Sequence, residues 1–299
     1  MDAYGEFAGV YDIFMDEVPY RQWCDQICKW IDIYGISERL TDNRPVMTDR
    51  RKEELSEADK LRSERNLILD LGCGTGTLTL MLAKCGYDMI GVDSAPEMLQ
   101  AAMNKSSEAG REILYLCQDM RELELYSTVG CILCICDCLN YLLSAEDIIR
   151  TFRQVNNYLY PGGLFIFDFN TVYKYETVIG DSTIAENREE CSFIWENYYH
   201  PAEQINEYDI TVFVKEQSGP ADQGNIDGGR FRRFSETHYQ RGYTLAQMQQ
   251  YLEQAGLTFV AAYDGDTFGA YTNESDTARD DGEKSERIFV IARENGKNR

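Results

Sequence analysis

The chain has 299 residues, 43% of them hydrophobic and 12% aromatic, and a formal net charge of −22. That is ample material for a core, which excludes a disordered chain and leaves one large or two modest domains. No apolar run approaches the roughly 20 residues of a membrane helix, and so acidic a surface repels phosphate backbones, so neither membrane nor nucleic-acid partners are expected. The concentrated basic candidates are Arg230, Arg232, Arg233 and Arg241. Met1–Glu6 is acidic and lacks the basic n-region of a signal peptide, so a cytoplasmic protein is expected. The ten cysteines then read as reduced thiols.

Residues 1–34 read as two amphipathic helices forming a lid over one sheet face. Phe7, Val10, Tyr11 and Phe14 recur at helical spacing, followed after Pro19 by Trp23, Ile27, Trp30, Ile31 and Tyr34. Residues 35–65 are charged and interrupted by Pro45, a solvated insertion or linker with a short helix near 51–62. The apolar run Leu67–Leu71 predicts a strand, followed by Gly72-Cys73-Gly74-Thr75-Gly76 and a helix over 77–85 ended by Gly86. Strand, glycine turn and helix open a parallel α/β sheet, whose ligands sit beyond the carboxyl ends of the strands. Glycine allows positive φ and close approach of the backbone to a ligand. A dinucleotide turn would need glycine where Thr77 stands, and a P-loop would need Gly-Lys-Ser/Thr, so the turn lacks both phosphate cradles.

A second strand over 87–92 delivers Asp93, and Ser94–Glu97 has the pattern of a capping box opening a helix with Met98, Leu99, Ala102 and Met103 on its buried stripe. A third strand, 112–117, leads to Gln118-Asp119-Met120; a fourth, 131–136, leads to Asp137 and Asn140-Tyr141. Cys131, Cys134, Cys136 and Cys138 could suggest a metal, but on so apolar a stretch they suit a buried strand, and no metal is expected. A second capping box, Ser144–Asp147, opens a helix through Tyr158, and Pro161-Gly162-Gly163 turns into a fifth strand, 164–168. Strands alternating with helices imply a parallel sheet. Residues 171–241 break the alternation with β-rich stretches and a glycine-rich connection, 219–229, and read as an antiparallel cap. A third capping box, Thr244–Gln247, a helix ended by Gly256, and strands near 257–263 and 287–293 close the sheet, with an acidic loop between the last two.

Asp70–Gly76 resembles the first motif of the Rossmann-like (class I) S-adenosylmethionine (SAM)-dependent methyltransferases, whose ligand carries no phosphate. Tyr4-x-x-Phe7-Ala8-x-x-Tyr11-Asp12-x-x-Met15 resembles the amino-terminal segment of a bacterial subgroup, in which it lies over the cofactor with a tyrosine near the sulfonium. The resemblance implies a doubly wound, mostly parallel seven-stranded sheet built from 66–170 and 242–299, with amino-terminal helices and the cap inserted after strand five. It implies SAM as cofactor and S-adenosylhomocysteine as product.

It also implies roles for particular residues. Gly72, Cys73, Gly74 and Ser94 line the cofactor, and Asp70 organises the turn or receives the ligand's ammonium. Asp93, 17 residues beyond Gly76, accepts the ribose hydroxyls or merely favours a helix dipole. Asp119 and Met120 meet the adenine with Met98 completing the wall, Cys136 lies beside the methionine portion, and Tyr11 covers the sulfonium or is simply packing. On the acceptor side, Asn140 orients a nucleophile or caps a turn, Asp137 stands beside it, and Tyr141, Asn170 and Arg241 wall the pocket. His238 is a general base or a structural hydrogen-bonder, its Glu-x-His setting being shared by similar proteins, and His200 is structural. The expected activity is methyl transfer to an O or N nucleophile of a small acceptor by a monomer or homodimer. The alternatives are a SAM-using enzyme acting on a tRNA precursor, an NAD-dependent oxidoreductase, and a non-catalytic SAM-binding protein.

Overall fold

Side chains at successive strand positions point to opposite faces, and the central strands are apolar on both, which suits a parallel sheet covered on two sides. The computed structural model describes residues 8–40, 56–216, 230–273 and 285–297. Strands β1 (Leu67–Leu71), β2 (Asp88–Asp93), β3 (Leu114–Cys117), β4 (Val129–Cys134) and β5 (Leu159–Asn170) run parallel. With β10 (Leu257–Asp264) and β11 (Arg287–Glu294) they form a seven-stranded sheet in the order β10-β11-β5-β4-β1-β2-β3, in which β11 is antiparallel to both neighbours.

One face of this sheet presents Ile68, Leu133, Ile166 and Phe289 to Trp23, Ile27, Trp30 and Ile31 of α2 (Tyr20–Tyr34) and to Leu82 of α4 (Thr77–Lys84). The other presents Leu69, Ile132, Phe165 and Val290 to Phe152 of α6 (Ala145–Tyr158) and Met248 of α7 (Leu245–Gln254). The remaining helices are α1 (Ala8–Phe14), α3 (Glu57–Asn66) and α5 (Pro96–Glu108). No helix among the described residues is long and apolar enough to cross a membrane.

Between β5 and α7 the chain builds a second, antiparallel sheet of β6 (Thr183–Asn187), β7 (Cys191–His200), β8 (Ile205–Lys215) and β9 (Phe231–Arg241). This is the cap read from the sequence, with β6 as an unforeseen edge strand; its side chains are largely exposed, so it carries little apolar alternation. The glycine-rich 219–229 connection lies outside the described residues, as do Tyr4, Phe7, Pro45 and residues 274–284 of the acidic loop before β11.

Several local readings need correction. The helix expected near 51–62 is α3, with Ser56 as its N-cap and Asp59 N donating to the serine hydroxyl. Ser94 does not cap α5; instead Asp93 Oδ1 accepts from Ala95 N at 2.9 Å, so the carboxylate one residue earlier does that work. Ser144 caps α6 from one side only, because Asp147 turns toward Arg121, 3.7 Å away. Thr244 and Gln247 do form a reciprocal box. Pro161-Gly162-Gly163 lies within β5, where the register against β4 shifts between Val129 and Cys131. Strand β4 ends at Cys134, so Cys136 and Asp137 fall past it with left-handed φ of 72° and 52°.

Candidate functional site

Beyond the carboxyl ends of β1, β2 and β4 lies a cleft of about 490 Å³. Its floor is the glycine turn. Gly72 N and Cys73 N both donate to Val92 O, at 2.7 and 2.9 Å, which ties the turn to the end of β2. Gly72, Gly74 and Gly76 all have left-handed φ (80°, 52° and 72°), a geometry that penalises any Cβ. A Cβ at Gly72 would lie 2.6 Å from Cys138 Sγ, whereas one at Gly74 would meet nothing within 4 Å, leaving bare backbone against open space.

Two carboxylates flank the turn. Asp93 accepts from Gly74 N through Oδ2 at 2.8 Å and from Ala95 N through Oδ1, and burial raises its pKa. Asp70 is buried and accepts a 2.5 Å hydrogen bond from Thr79 Oγ1; burial, with the nearby Asp93 charge, raises its pKa to about 6 despite that bond. A third carboxylate, Asp119, is gripped by the Nε and Nη2 of Arg121, whose hydrogen bonds hold its pKa below the usual range. Arg121 is the one cationic side chain among the described residues lining the cleft, against three acids. The lining therefore suits a positively charged ligand and disfavours a polyphosphate.

Two tyrosines close the cleft from the amino-terminal side. Tyr20, at the start of α2, lies beside Tyr11 and the Cys136 thiol, and burial raises both tyrosine pKa values and pushes the Cys136 thiol up to about 12. Helix α1, which carries Tyr11, is fastened on two sides. Asp12 accepts from Thr75 Oγ1 at 2.7 Å and pairs with Lys105 Nζ at 2.6 Å; the same ammonium donates to Thr75 and Thr77. At its far end Arg188 of the second sheet pairs with Asp16 at 2.7 Å, and Phe14 packs edge-on against Phe193.

Tyr11, Asp70, Gly72, Cys73, Gly74, Asp93, Ser94, Met98, Asp119, Met120 and Cys136 all line this one cleft, with Tyr141 at its margin. Tyr141 belongs to a short 3₁₀ turn, Cys138–Tyr141, and leads from the cleft into the second sheet. Its hydroxyl lies 2.8 Å from that of Tyr208 and 3.4 Å from His238 Nδ1. His238 is buried, stacks on Tyr208 at 4.9 Å, and faces Glu236 Oε2 through Nε2 at 3.2 Å. The histidine thus reaches the cleft through Tyr141 and does not line it.

Four other expected residues have different work. Asn140 is fully buried: its Nδ2 donates to the carbonyls of Asn170 and Arg241, at 2.9 and 2.7 Å, and its Oδ1 accepts from Asn170 N. It therefore clips together the strand that leaves for the second sheet and the strand that returns, and has no amide group left to orient a nucleophile. Asp137, expected beside Asn140 on the acceptor side, is bound by Arg287 Nη2 and Gln240 Nε2, at 2.7 and 2.8 Å. Arg287 also pairs with Asp168, and although burial opposes it, these two carboxylates hold the guanidinium charged. Asn170 directs its side chain to Tyr175 and Lys174, and Arg241 donates to Leu143 O and lies over the Tyr243 ring. The sequence reading missed Tyr20, Thr75, Arg121 and Cys138 in the lining. Arg121, two residues after a carboxylate in a turn, was visible as a local pair; Tyr20 looked like any other core aromatic.

A methyltransferase-domain family profile matches residues 68–163. Over 291 residues the chain is 31% identical to a Geobacillus sp. (strain WCH70) protein classed by name as a methyltransferase, covering 97% of this chain and 99% of that one. YqeM of Bacillus subtilis (strain 168), classed in the same way, is 32% identical over 85% of this chain and 86% of its own. Among solved structures, an S-adenosylmethionine-dependent methyltransferase from Clostridium acetobutylicum ATCC 824 superposes with a TM-score of 0.72 at 26% identity, covering 99% of this chain and all of that one.

Proposed function

The chain belongs to the class I SAM-dependent methyltransferases, and from that premise we propose that it methylates an oxygen or nitrogen of a small molecule held between the glycine-turn cleft and the second sheet. The observation that carries this reading is Tyr141, whose hydroxyl stands at the margin of the cleft and within reach of the buried His238–Glu236 pair.

The lining fits SAM, a cation with an ammonium-bearing tail and no phosphate. In this reading Asp93 takes the ribose hydroxyls through the lone pairs its two backbone donors leave open. Asp70 lies at the ammonium end, and a bound ammonium would draw its pKa down from about 6. Met98 and Met120 flank the adenine, with the Asp119–Arg121 pair at its edge. Tyr11 and Tyr20 cover the sulfonium side, where phenolic rings favour a cation. When bound, SAM supplies an already activated methyl group. The protein's own contribution is to hold the acceptor in line and keep water out. Where the acceptor must shed a proton, Tyr141 passes it to His238 Nδ1, and Glu236 stabilises the imidazolium through Nε2. Residues 1–34 act as the cofactor lid and 171–241 as the acceptor side.

Incubating the enzyme with methyl-labelled SAM and fractionated cell extract tests the acceptor class. Label is expected in the low-molecular-weight filtrate; label confined to RNA or protein would overturn the small-molecule assignment. The lid makes a second prediction. Lys105→Met removes the ion pair that holds Asp12 against the turn, a partly exposed contact worth up to about 1 kcal/mol. SAM affinity should fall roughly fivefold, chiefly through faster dissociation, as read by stopped-flow binding. An unchanged dissociation rate would mean that α1 does not retain the cofactor.

A further inference from the structure

Outside the cleft, the Sγ atoms of Cys24, Cys28 and Cys85 lie within 4.8 Å of one another. We propose that these three thiols bind a thiophilic d¹⁰ cation of the zinc–cadmium type, tying α2 to α4.

Cys24 and Cys28 are four residues apart on α2, so they share one helical face. Cys85 comes from the residue that ends α4. The separation between Cys24 Sγ and Cys85 Sγ is 3.9 Å. A zinc–sulfur bond of about 2.3 Å places two thiolates on one metal roughly 3.8–4.0 Å apart, so that pair already has the required spacing. The separations to Cys28 Sγ are no more than 4.8 Å, close to the same spacing. Cys24 and Cys28 are buried, whereas Cys85 is half-buried and gives a cation its way in. Soft thiolates select this class of metal over magnesium or calcium, and the fourth position would be open to water.

Packing alone explains the arrangement poorly, since an isolated buried cysteine is a small hydrophobe, and here three sulfurs converge. A disulfide explains it less fully. Bridged residues on one helical turn would strain the helix, and a Cys24–Cys85 bond would leave the Cys28 thiol with nothing to do. The apolar 131–138 run, where spacing first suggests a metal, gives no such triad among the described residues. The site also has a structural consequence. Helix α2 begins with Tyr20 of the cleft and α4 begins at the glycine turn, so the cation would join two walls of the cofactor site from behind.

The test is anaerobic titration of the reduced full-length protein with Cd²⁺ alone, followed by sulfur-to-cadmium charge-transfer absorbance. One equivalent per chain is expected, competed off by Zn²⁺ only in large excess because thiolates favour the softer ion, with the melting temperature rising by about 5 °C at a hundredfold excess over Kd. Cys85→Ala, at the half-buried position, should abolish the stoichiometric band while SAM binding shows that the variant folds; Cys117→Ala, exposed and elsewhere, should leave it intact. A band that survives both Cys85→Ala and Cys24→Ala overturns the proposal. So does a reduced protein that takes up no cadmium but oxidises in air to a Cys24–Cys85 disulfide, which would make the triad a redox pair.

Discussion

Asp93→Ala is expected to weaken SAM binding by two to three orders of magnitude in a calorimetric titration. In the proposed binding mode the carboxylate accepts two hydrogen bonds from the ribose, each charge-assisted and worth about 1.5–3 kcal/mol. Part of the loss would be indirect, because the same oxygens hold Gly74 N and Ala95 N at 2.8 and 2.9 Å. Asp93→Asn separates the two contributions: the amide oxygen can still accept from one backbone donor, but the charge is gone. An intermediate loss, about tenfold to thirtyfold, is expected for it. Full affinity in the alanine variant would leave Asp93 as a cap for α5 and remove it from the cofactor site.

The second large effect should come from the acceptor side. His238→Gln should lower kcat by about a hundredfold or more where the acceptor loses a proton, with the affinity for SAM unchanged. Tyr141→Phe should reproduce much of this loss, since that hydroxyl lies between His238 Nδ1 and the cleft. The unchanged SAM affinity serves as the folding control for both variants. If His238→Gln retains kcat with an acceptor extracted from cells, the histidine is a packing partner of Tyr208, and orientation alone drives transfer.

These two sites differ in how far the sequence could disclose them. The cofactor side is local: a strand, a glycine turn, and an acid at the end of the next strand lie within 30 residues of one another, and each residue's position follows from its own element. Even there Ser94 misled, because a serine three residues before a glutamate looks like a cap whether or not a stronger acceptor precedes it. The acceptor side is assembled from afar. Asn140 finds its partners 30 and 101 residues on, and Tyr141 meets His238 97 residues away. No periodicity carries that information, so an amide that serves as a clip and one that serves as a catalyst look alike on the page. The partner of Asp137 was hidden for the same reason, Arg287 lying 150 residues further along. The thiol triad depends likewise on a contact across 61 residues.

The Asn140 clip bears on the statistics of the chain. A long excursion, 171–241, departs and returns at points fixed side by side, with Thr171 bridged to Tyr243 just beyond the clip. Once its ends are fixed, the entropy lost in closing a loop grows only logarithmically with length, about 0.6 kcal/mol for each doubling. The sheet can therefore fold around excursions of very different size at almost the same cost. Asn140 marks a socket, and a lineage could exchange what is plugged into it, and with it the choice of acceptor, without redrawing the glycine turn.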